Sequence, residues 1–144
     1  MDENNSIIKL VNEGMKMEMQ NKIDLAQNLF IQAWDESSND WEKCIAAHFV
    51  SRHQNNHEDT LKWNMESLNR ANKVLEDKIK NYYPSLYLSV GISYENLGNY
   101  IEAKKYYNLA FEKIPDLSTD KNNEEYNKGI RESILERKNN LSKN

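Results

Sequence analysis

The sequence predicts an all-α protein built from repeated helical hairpins, and three observations carry that prediction. Breakers are scarce, with four glycines and two prolines in 144 residues, so little interrupts a helical run. Apolar residues recur at spacings of three and four, as in Leu25, Ala26, Leu29, Phe30, Ala33 and Trp34, and no stretch sustains the alternation of a strand. A pattern of small and large residues around Gly14 also returns, without a gap, 77 positions later around Gly91.

The later copy is the fuller one. From Pro84 to Pro115 the chain places Tyr87, Val90-Gly91, Tyr94, Leu97-Gly98, Tyr100, Ala103, Tyr107, Ala110 and the closing Pro115 in order. Where the two helices of a hairpin cross, their backbones approach closely and a small residue is needed. On the next turn a large residue must fill the groove. Gly91, Ala103 and Ala110 suit the crossings, Tyr94 and Tyr107 fill space, Gly98 starts the turn and Pro115 ends the second helix. This segment resembles the tetratricopeptide repeat (TPR), a 34-residue helix-turn-helix unit.

The first copy has Leu10, Gly14, Met17, Ala26, Phe30 and Ala33 at the same positions, with Glu13 in an apolar slot and Asn21 where the turn glycine stands. A middle copy, shifted by 34, is degenerate: His48, Thr60, Asn64 and Ser67 occupy the crossing positions. A one-residue slip places Ala47 at the crossing instead, and both registers stay open. The 77-residue shift exceeds two repeats by nine residues. Leu68, Ala71, Leu75, Ile79 and Tyr82 keep helical spacing there, with Glu76 and Lys80 as an i,i+4 pair, so the spacing predicts one helix through residues 68–82. A last helix should bury Tyr126, Ile130 and Ile134 against the third hairpin, with the tail from Asn139 frayed. The resemblance therefore implies a right-handed α-solenoid of three TPR-like hairpins, at about residues 7–40, 41–83 and 84–117, closed by a capping helix over about 124–138. The chain reads as a single such domain.

Composition narrows the function. Hydrophobic residues make up 38% and charged residues 29%, and the formal net charge is −4 with no basic block. Neither a nucleic-acid footprint nor a polybasic membrane patch is expected. The polar start, Met1 to Asn5, lacks the features of a secretory leader, and apolar runs are too short to span a bilayer. A cytoplasmic protein is expected. No glycine-rich phosphate loop follows a strand, so nucleotide chemistry and other cofactors are not expected. Cys44 is the only cysteine, which excludes an intramolecular disulfide.

TPR scaffolds bind partners on the face made by the first helix of each hairpin. The resemblance puts Val11, Met15, Glu18 and Met19 there, then Ile45, Phe49, Arg52 and His53, then Leu88, Ile92, Glu95 and Asn96. An apolar floor with Arg52, His53, Glu18, Glu95 and Asn96 as polar handles suits an extended peptide or another helix. The ligand-binding candidates are Met15, Glu18, Phe49, Arg52, His53, Trp63, Ile92, Glu95 and Asn96. A bland reading competes: Arg52 and His53 are solvated, or paired with Glu18 or Glu95. The carboxylate-clamp TPRs need Lys and Asn in this groove, and Val11, Met15, Ile45 and Phe49 are apolar. The segment Ala46 to Gln54 with Trp63-Asn64 is also similar to one in small bacterial TPR-like proteins, a likeness that implies no activity.

The leading expectation is thus a protein- or peptide-binding adaptor or regulator. The alternative is a small enzyme or metal-binding protein centred on His48, Arg52 and His53, with Cys44 one helical turn before His48. No standard metal-ligand spacing supports it. Self-association through exposed Ile7 and Ile8 on the first helix is a further expectation.

Overall fold

The computed structural model describes residues 4–142, and these contain seven α-helices, short 3₁₀ turns and no strand. Helices α1 (Ser6–Met19) and α2 (Ile23–Glu36) pair as a hairpin, as do α3 (Asp40–Val50) and α4 (His57–Ala71), and α5 (Tyr83–Asn96) and α6 (Tyr100–Glu112). Helix α7 (Glu124–Ser142) packs on α6. The chain divides into two compact units, the first ending at Val74 and the second beginning at Leu75. Among the described residues no helix is long and apolar enough to cross a membrane. Residues 1–3, part of the polar start, lie outside them.

The hairpins keep the spacing read from the sequence. First helices begin at Ser6, Asp40 and Tyr83 and second helices at Ile23, His57 and Tyr100, so in both rows the later members lie 34 and 77 residues after the first. The middle hairpin follows the ungapped register, without a longer turn. Asparagines set several of these starts. Asn5, Asn39, Asn56 and Asn99 each accept a hydrogen bond from a backbone N–H in the first turn, at Ile7, Glu42, Asp59 and Glu102 respectively. A side-chain oxygen satisfies an amide that the helix leaves unpaired, typically worth about 1 kcal/mol.

Close backbone approach explains the two crossing glycines. A Cβ on Gly91 would lie 2.5 Å from Tyr107 Cε1, and one on Gly14 would lie 2.8 Å from Phe30 Cδ1. Both rings are fully buried. The same contact thus recurs 77 residues apart, in separate units. In the middle hairpin His48 and Asn64 hold the corresponding positions: the bulkier side chain moves to the first helix and the smaller one to the second. Ser67 replaces the alanine of the outer hairpins, and its Oγ donates to the Cys44 carbonyl at 2.7 Å. This contact satisfies the Ser67 hydroxyl, while His48 Nδ1 stays buried without a hydrogen-bond partner.

Turn geometry recurs as well. Asn21 and Gly98 occupy the same place after α1 and α5, with φ of 59° and 78°. Each turn closes with the next residue's N–H bonding a carbonyl five residues back, Lys22 to Met17 at 2.8 Å and Asn99 to Tyr94 at 2.9 Å. This is a helix ending that favours glycine at the left-handed position. Asn21→Gly should therefore stabilise the first unit by a few tenths of a kcal/mol, up to about 1. Chemical denaturation reads the change, and a loss of stability would show that the Asn21 side chain contributes more than its backbone costs.

Several expectations need correction. The chain over 68–82 is not one helix: α4 ends at Ala71, and a 3₁₀ segment, Asp77–Tyr82, follows an open turn. Arg70 reaches Asp40, the first residue of α3, at 3.1 Å. The end of α4 is therefore level with the start of its partner. Further turns would find no α3 surface to cover, and unpacked turns are marginal in water. Leu75, in the middle of the expected stripe, is 95% exposed.

The inward face of α7 also differs. Ile134 and Ile130 pack on the third hairpin as expected, but Tyr126 is 59% exposed while Asn127 and Leu141 are buried. The true stripe is Asn127, Ile130, Ile134, Arg137 and Leu141, stepping by three and four. Asn127 donates from Nδ2 to the Ser118 carbonyl at 2.7 Å, and Leu141 holds the helix past the expected end at Lys138. Ile7 and Ile8, expected on the surface, are buried, so they supply no face for self-association.

The start of α1 is tied to α3 by Glu42. This buried carboxylate accepts from Asn5 Nδ2 at 2.9 Å, and from the Ser38 N–H at 2.8 Å and hydroxyl at 3.1 Å. Burial raises its pKa, but the hydrogen bonds from Ser38, Asn5 and Asn39 outweigh it and hold the carboxyl below its ordinary range.

Candidate functional site

The first unit gathers four candidates at the ends of α1 and α3. After α3 the chain turns through a short 3₁₀ segment, Ser51–His53. Two amides hold this end: Gln54 Nε2 and Gln27 Nε2 both donate to the Val50 carbonyl, at 2.9 and 3.3 Å. The turn brings Arg52 and His53 to Glu18, in the last turn of α1. A single oxygen, Glu18 Oε2, lies 2.5 Å from His53 Nε2 and 3.2 Å from Arg52 Nε.

Aromatic rings support this carboxylate seat. The His53 ring stacks on Phe30, with centroids 6.2 Å apart and planes 4° from parallel. Phe49 lies 5.3 Å from Phe30, and the Arg52 guanidinium sits 5.4 Å from the Phe49 centroid. Met15, Phe49 and Trp63 are half-buried against the core of Ala26, Phe30 and Val50. Exposure separates the charges: the Glu18 side chain is 11% exposed and that of Arg52 46%. Only Nε of Arg52 meets a carboxylate among the described residues, so its terminal nitrogens keep their hydrogen-bonding capacity.

Trp63 stands slightly apart, in an edge-on contact with Trp34 at 5.0 Å. Lys43 Nζ lies 4.1 Å from the Trp34 centroid, and Arg70 lies 5.5 Å from it while bonding Glu66 at 2.8 Å. The groove positions Val11 and Ile45 are buried.

The remaining candidates belong to the second unit. Ile92 packs against its core, where Leu88 is also buried, and Asn96 is exposed. Glu95 accepts from the Tyr107 hydroxyl at 2.6 Å and lies 3.6 Å from Arg137 of α7. Glu18 and Glu95 are 77 residues apart and do the same job. Each ends a first helix and reaches a cation from the next helical layer of its own unit. A chain of half-buried rings went unforeseen there: Tyr83, Tyr87, Tyr106 and Tyr94, with successive centroids 5.5, 6.2 and 5.6 Å apart. Its signal was Tyr83, Tyr87 and Tyr94 on one helical face.

Burial favours the neutral forms of Cys44 and His48. Burial pushes the Cys44 thiol up to about 11, and its sulfur lies 3.5 Å from Ser67 Oγ. Burial, with a smaller effect of the Arg52 charge, holds His48 down to about 4. Among the described residues no three His, Cys, Asp or Glu side chains gather as a metal site would need, which counts against the metal-binding alternative. No family model, curated protein or solved structure matches the chain.

Proposed function

We propose that this chain is a TPR-type helical-repeat module that binds a protein or peptide partner, acting as a cytoplasmic adaptor or regulator. The contact centres on Arg52, which takes an acidic or carbonyl-bearing segment, with Phe49 and Met15 adding apolar area. The supporting observation is the state of Arg52: half-exposed, anchored along one edge by Glu18 and laid over Phe49. A guanidinium held in place loses less freedom on binding and can grip a carboxylate through two parallel hydrogen bonds.

Arg52→Ala tests this reading. Capture from native-host lysate should recover partners with the wild type and lose them with the variant. Its melting temperature should stay nearly unchanged, because an exposed ion pair contributes about 0–1 kcal/mol. Equal recovery by both proteins would place the contact elsewhere.

A further inference from the structure

We propose that Glu18 is a built-in pseudo-ligand, filling the carboxylate seat of Arg52 and His53, so that acidic side chains of a partner peptide bind by displacing it. The inference rests on Arg52 being the recognition residue, as proposed above, and adds how that site is restrained.

The seat already demonstrates the chemistry it accepts. One carboxylate oxygen faces both side chains, with His53 Nε2 at 2.5 Å and Arg52 Nε at 3.2 Å. Arg52 and His53 follow the C-terminal end of α3, where a helix dipole favours positive charge. Glu18 sits in the last turn of α1, where the same dipole disfavours a carboxylate. Its hold therefore depends on Arg52 and His53. The nearest charges on its own helix, Glu13 and Lys16, pair with each other at 3.9 Å.

Exchange needs little rearrangement. His53 is held flat against Phe30 and Arg52 lies over Phe49, so both donors keep their places when Glu18 swings out. A partner glutamate or aspartate then takes the vacated seat and accepts hydrogen bonds from the terminal nitrogens of Arg52, which Glu18 does not reach.

The test uses a fluorescein-labelled tetraglutamate peptide with an amidated C-terminus, so that only side-chain carboxylates are offered. Fluorescence anisotropy at low salt is measured on the full chain. Glu18→Gln should bind the peptide about 2- to 5-fold more tightly than wild type, the range set by removing one competing ion pair. Adding Arg52→Ala to either background should abolish binding. Arg52-dependent binding that Glu18→Gln leaves unchanged or weakens would overturn the pseudo-ligand and spare the recognition residue. Absence of Arg52-dependent binding in every variant would overturn both. Should Glu18→Gln fail to fold, Glu18→Asp carries the test, since it withdraws the carboxylate by one methylene. It should tighten binding less, and unchanged or weaker binding would again overturn the proposal.

Discussion

Gly91→Leu is expected to destabilise the second unit by about 3 kcal/mol or more, at the upper end of overpacking effects. Even a Cβ at Gly91 would sit 2.5 and 2.6 Å from two carbons of the Tyr107 ring. The ring cannot retreat cheaply: it is fully buried, and its hydroxyl is anchored to Glu95 at 2.6 Å. Accommodating a leucine means separating α5 from α6, which also loosens Ala103 and Ala110 in the same core. Denaturant unfolding followed by circular dichroism measures the loss. Gly129→Ala in α7 is the control, because a Cβ there meets nothing within 4 Å, and helix propensity should then favour alanine by up to about 1 kcal/mol. If Gly91→Leu unfolds at the wild-type midpoint, α5 and α6 do not cross at this residue.

Acidification should weaken the first unit through His48. Its Nδ1 is sealed from solvent without a hydrogen-bond partner, and the folded imidazole protonates only near 4. An unfolded histidine takes up its proton near 6.5. Between these values the unfolded chain binds more protons, so the stability is full above about pH 6.5 and is lost progressively as the pH falls toward 4. Lowering the pH from 7 to 5 should cost about 1–2 kcal/mol. His48→Gln should remove that slope, and comparing it with wild type cancels the other two histidines. Glu42 acts in a lower window. Its folded carboxyl is depressed, so its stabilisation is present above the unfolded carboxylate range and is lost below it. Urea midpoints taken between pH 7 and 5 therefore isolate His48. The same slope in both proteins would show that His48 titrates freely.

Where the sequence was readable, it was readable for local reasons. A crossing needs a glycine on one helix and an aromatic on the other, and Gly14 with Phe30 and Gly91 with Tyr107 state that need within one hairpin. Capping is equally local: an asparagine two or three residues before its amide partner is visible without coordinates, as at Asn5, Asn39, Asn56 and Asn99. The candidate site was half legible. Face assignment on single helices picked out Glu18, Arg52, His53 and Phe49, and the bland pairing of Arg52 and His53 with Glu18 was among the readings.

The sequence alone determined the all-α class, the number of helices and their spacing, because helical periodicity and the small-large pattern act over a few turns. Tertiary structure decided where helices stop and which faces turn inward. Helix α4 ends at Ala71 because α3 begins at Asp40 and offers no surface beyond it. Helix α7 buries Asn127 and Leu141 rather than Tyr126 because the third hairpin, not its own periodicity, sets the angle at which it docks. The pairing of Glu18 with Arg52 and His53 likewise joins residues about 35 positions apart. Spacing along a chain can place both on accessible faces, but only the packing of α1 beside α3 brings the charges together.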